Sequence, residues 1–387
     1  MNILIGVFFL SLLLGQFGGY QITPGITIFM HDVLSGILCL FFIFHQSHKK
    51  NSIKGVLLKP FFLFVSVAAI SLLLNVGHFS YIQLFLGSLY LWRFILYFGL
   101  YVLVRNERLS QQFWINGLYV TGVGIALLGF AQYIFYPSLR NLLYLGWDEH
   151  YYRLFSTLLD PNFTGLFLGL TFFLGLYLYH QLKTPSLMVG QLVVGVAIIL
   201  TYSRSSFLAF SIGLLVYVLL TRQKVLLLSL FFGALIYLGL PSHGIDANRL
   251  FRSTSSVARL QSYADSIPLV MESPIIGIGY NMLRYQTGRD KILDSDGIIS
   301  RDAAGLNSSL LVVLVTTGII GFCVFMYFLY KVFLVITFKK NILSYVGVSS
   351  FLTILIHSMF NNSLFYAWIL IWMWIFVGCI ELKNGKE

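Results

Sequence analysis

Two apolar runs, Leu187 to Leu200 and Phe207 to Leu220, are parted only by Thr201, Tyr202, Ser203, Arg204, Ser205 and Ser206. Each run is roughly one bilayer crossing long. Six polar residues are too few for a domain linker, so they must turn the chain back as a tight hairpin at a membrane surface. With 58% hydrophobic and only 10% charged residues, the 387-residue chain has too little polar surface for a soluble domain. Twelve apolar runs are expected to cross, at residues 3–19, 26–45, 56–75, 82–104, 113–135, 161–180, 187–202, 205–220, 225–240, 306–336, 344–360 and 364–380. The first follows Met1 and Asn2 without a basic leader, so it is expected to be a retained span. The predicted fold class is an all-α polytopic membrane protein. Nine helices fall in 1–240, a large extracytoplasmic loop with short amphipathic helices in 241–305, and three helices in 306–387, all forming one integrated membrane domain.

The net charge of +11 has a positional explanation. With both termini placed in the cytoplasm, the short inner loops carry mostly lysine, including Lys49, Lys50, Lys54, Lys59, Lys183, Lys224, Lys339 and Lys340. Basic residues beside spans account for the charge without nucleic acid as a partner. The opposite face holds Arg140, Arg153, Arg204, Arg249, Arg252, Arg259, Arg284, Arg289 and Arg301 against one lysine, Lys291. A topology signal needs only charge, whereas a planar guanidinium matches phosphate or carboxylate bidentately. The outer face therefore reads as built to hold an anion, with loop packing as the alternative.

Several residues admit both a chemical and a structural reading. Arg204 stands beside Ser205 and Ser206 at a helix start, which outlines an anion site; the other reading is an anchor at the headgroups. Arg93 lies within the fourth run, where a charge faces a cavity or takes a partner such as Asp32. Asp160 is placed to cap the sixth run, with Pro161 in its first turn, or to act in catalysis. His357, near the outer end of the eleventh run and followed by Asn361 and Asn362, is either a proton acceptor or a packing residue. Between residues 136 and 160, Tyr144, Trp147, Tyr151 and Tyr152 suit stacking on sugars or an interfacial belt. In the long loop, Val257, Leu260, Ala264, Ile267 and Met271 recur at helical spacing, which predicts an amphipathic helix ending before Pro274. A continuous helix there puts Arg252 and Arg259 on one face.

Other signals point away from chemistry. Cys39, Cys323 and Cys379 all sit inside apolar runs, and no histidine pair has metal spacing. Asp294, Ser295 and Asp296 read as a solvated acidic tip rather than a divalent-cation site. Gly277, Ile278 and Gly279 read as a turn, since no dinucleotide fingerprint surrounds them. Gly318 and Gly321 read as a site of close helix packing. No Walker sequence or nucleophile elbow appears. No metal and no cofactor is expected.

In order along the chain stand Asp160-Pro161-Asn162, Ser203-Arg204-Ser205, Arg259, Ser273 to Gly279, Asn307, Gly318 with Gly321, and His357. Arranged around one long outer loop, they resemble the O-antigen polymerase and ligase superfamily of Wzy-like membrane glycosyltransferases. The resemblance implies a GT-C-like fold in a bacterial cytoplasmic membrane, acting on polyprenyl-diphosphate-linked oligosaccharides of an O-antigen or capsule without a nucleotide. It implies Arg204 and Arg259 at the diphosphates, with Arg153, Arg252 and Arg301 as helpers and Asp160 or His357 as the base. Asn162, Ser203, Ser205, Asn307 and Arg93 complete the expected substrate-binding set. A chain-length regulator and a repeat-unit flippase are the implied protein partners. Ligases of the superfamily are similar in carrying a histidine where this chain has Leu306, a departure that favours the polymerase. A glycolipid flippase or transporter is the alternative of another class, for which broken helices and more charges at depth are expected.

Overall fold

The computed structural model describes residues 2–23, 26–48, 53–107, 109–145, 147–239, 253–288 and 306–382. It is an assembly of helices with one small two-stranded sheet. In chain order the helices are α1 (Asn2–Leu13), α2 (Met30–His48), α3 (Leu58–Leu74), α4 (Tyr81–Asn106), α5 (Gln111–Phe135), α6 (Pro161–Leu182) and α7 (Pro185–Leu200). They continue with α8 (Arg204–Thr221), α9 (Leu226–Gly239), α10 (Ser253–Glu272), α11 (Leu283–Gln286), α12 (Ser309–Thr337), α13 (Ile342–Ser358) and α14 (Ala367–Glu381). Each of the twelve apolar runs coincides with a helix, while α10 and α11 fall in the long hydrophilic segment. Among the described residues six helices, α2, α4, α5, α6, α8 and α12, are long and apolar enough to cross a membrane. The remaining runs fall on helices of 12–17 residues.

The first two runs end and begin differently from expectation. Helix α1 stops at Leu13, and the chain turns at Gly15 with φ +57°. It then forms an antiparallel hairpin of β1 (Gly19–Thr23) and β2 (Ile26–Phe29), in which Gly19 faces Phe29 and Tyr20 faces Ile28. Hydropathy alone does not separate β2 from α2, because Ile26, Ile28 and Phe29 continue into the apolar residues of the helix.

Helix starts follow local chemistry. Ser80 and Gln83 form a capping box at α4, and Ser110, Asp160, Ser203, Ser308 and Asn341 each accept a backbone N–H at the starts of α5, α6, α8, α12 and α13. Helix α14 is apolar on every side and buried from Ala367 to Ile380, so it is the core against which α4 and α5 pack. At its carboxyl end Glu381 accepts from Tyr101 Oη, from Arg105 Nε in an ion pair, and from Val56 N at 3.2 Å. One carboxylate thereby ties the end of α14 to α4 and to the start of α3.

Helix α12 is broken at Gly318, whose φ of 63° and ψ of −169° only glycine adopts without strain. The small-residue reading of Gly318 is corrected here: it is a backbone break. The segment Pro274–Gly279 fills the gap. Ile319 N and Ile320 N donate to Pro274 O and Ile275 O at 2.9 and 3.4 Å. Val315 O and Thr316 O accept from Ile278 N and Gly279 N at 3.1 and 3.2 Å, and Ser71 Oγ donates to Thr316 O at 2.8 Å. An interrupted helix in an apolar layer is tolerated only when its freed groups are re-paired in this way. A Cβ on Gly318 would meet Ile275 O at 2.3 Å, and one on Gly277 would meet the Thr316 carbonyl carbon at 2.4 Å. Gly318→Ala should therefore cost more than about 2 kcal/mol. Gly36→Ala in α2, where a Cβ meets nothing within 4 Å, should be neutral or stabilising by up to about 1 kcal/mol. Thermal melting in detergent checks the contrast, and equal melting of the two variants would contradict the account of the break.

Candidate functional site

The site is built on the hairpin between α7 and α8. Tyr202 takes φ 49° in the turn, and Ser203 Oγ caps α8 by accepting from Ser206 N at 3.3 Å. Arg153 is 7% exposed and lies at the carboxyl end of α7, where helix carbonyls lack partners and carry partial negative charge. Its Nε donates to Thr201 O at 3.0 Å and its Nη2 to Tyr202 O at 3.4 Å, while Leu154 N donates to Leu200 O at 2.8 Å. The role visible for Arg153 is to hold the hairpin in shape.

The start of α6 is stitched to the start of α8. Asp160 Oδ1 accepts from Asn162 N at 2.6 Å and Phe163 N at 3.2 Å, and Pro161 occupies the first turn. Asn162 then receives two hydroxyls: Ser203 Oγ donates to its Oδ1, and Ser206 Oγ to its carbonyl, both at 2.7 Å. Asp160 itself stays half-buried at the rim.

The carboxyl end of α13 closes the cluster. His357 is fully buried; its Nε2 lies 3.1 Å from Ser206 Oγ, and its Nδ1 lies 2.6 Å from Ser363 Oγ. Ser206 Oγ donates to the Asn162 carbonyl, and Asn361 Nδ2 also lies 3.3 Å from His357 Nε2. Asn361 Nδ2 donates to Ser205 Oγ at 3.0 Å. Asn162, Ser203, Ser205 and His357 are thus brought together, and the structure adds Ser206, Asn361 and Ser363. The signals for the added residues were local: Ser206 is in the hairpin itself, and Asn361 is one helical turn beyond His357.

Arg204 is the first residue of α8 and is half-buried. A cation at the positive end of a helix is unfavourable by itself, and becomes favourable when an anion binds between guanidinium and helix start. Helix α10 approaches the same place. Tyr263 Oη donates to Met359 O at 2.6 Å, and Asn307 N donates to Ser262 Oγ at 3.2 Å. These bonds lay α10 over the end of α13 and the start of α12. Arg259 is one turn before Tyr263 on α10, and its side chain is not among those described. Arg252 and Arg301 lie outside the described residues. Asn307 is exposed beside the start of α12, whereas Leu306 is buried with Ile278, Leu283 and Val315.

Arg93 is apart from this cluster. Its Nη2 donates to Asp32 Oδ2 at 2.8 Å and to Thr27 O at 2.7 Å, and Tyr97 Oη donates to the other Asp32 oxygen. Arg93 thus takes Asp32 as the partner expected of a charge at this depth. In the loop before α6, Trp147 packs with Leu139, Phe155 and Leu159 in a small apolar cluster of its own.

If capping is what Asp160 contributes to the fold, Asp160→Ala should lower stability by about 1 kcal/mol and Asp160→Asn should leave it nearly unchanged. Chemical or thermal unfolding of the two variants in detergent checks this; equal losses would show that the charge, not the cap, holds the start of α6.

Residues 189–326 match a protein-family model described as O-antigen ligase. That span contains the hairpin, α8, α10 and the break in α12. A comparison with curated proteins returns no match. About a third of the chain, residues 189–326, is thus similar to the O-antigen ligase family.

Proposed function

We propose that the protein polymerises a bacterial surface polysaccharide, joining polyprenyl-diphosphate-linked repeat units at the extracytoplasmic face of the cytoplasmic membrane. One observation carries the reading. Arg204 opens a helix whose start is bonded to α6 and to the end of α13, and α10, which bears Arg259, is bonded to that same end of α13 through Tyr263 and Met359.

The reaction breaks the bond between the anomeric carbon of the growing glycan and its diphosphate oxygen, and forms a bond from that carbon to an acceptor hydroxyl oxygen. The diphosphate leaves with the electron pair. Its negative charge is met by the Arg204 guanidinium, the partial positive charge at the start of α8 and Arg259, a preorganised set of the kind that lowers such barriers most. The hydroxyl proton passes to a base. Both nitrogens of His357 already face hydroxyls, so the half-buried carboxylate of Asp160 is the better placed of the two candidates. His357 then fixes the serines and Asn361 around the leaving group.

The family description favours a second reading, ligase-type transfer to a different acceptor. Leu306, packed in an apolar cluster where ligases are expected to have a histidine, weighs towards the polymerase. The break in α12 is a transporter-like feature, but its freed backbone groups are taken up by Pro274–Gly279 and Ser71.

Purified full-length protein supplied with synthetic lipid-linked repeat units in detergent should give a ladder of products and release polyprenyl diphosphate. Arg204→Lys should lower turnover on the order of a hundredfold, because the charge stays while the bidentate fork is lost. Wild-type turnover in that variant would remove Arg204 from the mechanism. Translocation of the lipid in vesicles without any glycan product would overturn the transferase reading.

A further inference from the structure

A cavity of about 100 Å³ is lined in part by Asn362 and Phe365, in the turn that follows α13. Arg93 of α4, Asn281, Val312 and Val313 of α12, and Asn362 are among the residues that line it. Three consecutive residues of the turn divide their work. Asn361 bonds Ser205, Ser363 bonds His357, and Asn362 between them lines the cavity. Whatever fills the cavity is therefore one residue away from the proposed reaction centre.

Its polar groups are specific in kind. Asn362 Oδ1 is buried and accepts no hydrogen bond among the described residues. Such an oxygen is costly unless a donor reaches it. Arg93 uses Nη2 on Thr27 and Asp32, and its Nε and Nη1 make no bond to the protein among the described residues. Asp32 neutralises the Arg93 charge at 2.8 Å, so an anion gains little here, and a phosphate would set its oxygens against that of Asn362. Val312 and Val313 supply an apolar wall. One unmet acceptor, guanidinium donors, an apolar wall and no net charge together fit a neutral amide that ends in a methyl group. The volume exceeds what one water needs and accommodates such a group.

We propose that this cavity binds the acetamido substituent of an N-acetylated sugar in the lipid-linked glycan, its N–H on Asn362 Oδ1, its carbonyl on Arg93 and its methyl against Val312 and Val313. The proposal rests on the reading of the protein as acting on lipid-linked glycans.

Saturation-transfer NMR on the full-length protein in detergent tests it, with methyl glycosides of N-acetylglucosamine and N-acetylgalactosamine against those of glucose and galactose. The acetamido methyl should receive the strongest saturation, and the N-acetylated sugars should bind roughly tenfold more tightly, the worth of one neutral hydrogen bond. That preference should vanish in Asn362→Leu and in Val312→Phe, which fills the cavity from its apolar side. If Asn362→Leu melts early, Val312→Phe decides. Equal binding of both sugar types to the wild-type protein, or an unchanged preference in a well-folded Val312→Phe variant, overturns the proposal. Acetamido preference without glycosyl transfer would sink the transferase reading alone, and transfer without preference would sink this proposal alone.

Discussion

Helix ends that are buried where they meet need hydrogen-bond partners that water does not supply there. At the α7–α8 hairpin those partners come from elsewhere in the chain. Arg153 serves the carbonyls that end α7, Ser203 serves the start of α8, and the hydroxyls of Ser203 and Ser206 reach back to Asn162 at the start of α6. His357 and Asn361 add the end of α13 to the same junction. Four helix ends are thereby fixed against one another, and Arg204 is the first residue of α8, one of the two that begin there. The functional reading depends on that junction.

The break in α12 follows the same logic on its other side. Its freed amides and carbonyls are matched by Pro274, Ile275, Ile278 and Gly279, so the segment after α10 is built into the helical bundle. Asn75 Nδ2 also donates to Gly277 O at 3.1 Å, joining the end of α3 to the same place. Helix α10 is thus held at its middle by Tyr263 on Met359 and at its carboxyl end by the break-filling segment that follows Glu272. A helix that bears a candidate diphosphate ligand gains a defined position relative to the hairpin.

Much of this was legible in the sequence wherever the cause is local. Apolar runs marked all twelve bundle helices, and Asp160 with Pro161 marked the start of α6. The amphipathic spacing from Val257 to Met271 marked α10, and Pro274 correctly placed its end before that residue. What escaped has causes distant in sequence. The Gly318 break has no local signature, because its partners lie some forty residues earlier and the surrounding hydropathy stays high. The hairpin is a local exception: β1 falls mostly between the first two apolar runs, and only β2 lies inside one. At the site, Asn162, Ser203 and His357 stood out singly, but their joining through Ser206, Asn361 and Ser363 depends on how three helices pack. For Arg93 the sequence left a cavity or a partner, and the structure gives it both, Asp32 at 2.8 Å and the cavity that Asn362 also lines.

The central claim is that the hairpin and α10 grip one and the same diphosphate. A photoreactive polyprenyl diphosphate analogue, cross-linked to the full-length protein and mapped by peptide mass spectrometry, tests it most directly. The account predicts adducts in both 201–206 and 253–272, each suppressed by unlabelled polyprenyl diphosphate in parallel. Adducts confined to one of the two segments, or competed away from one and not the other, would contradict it.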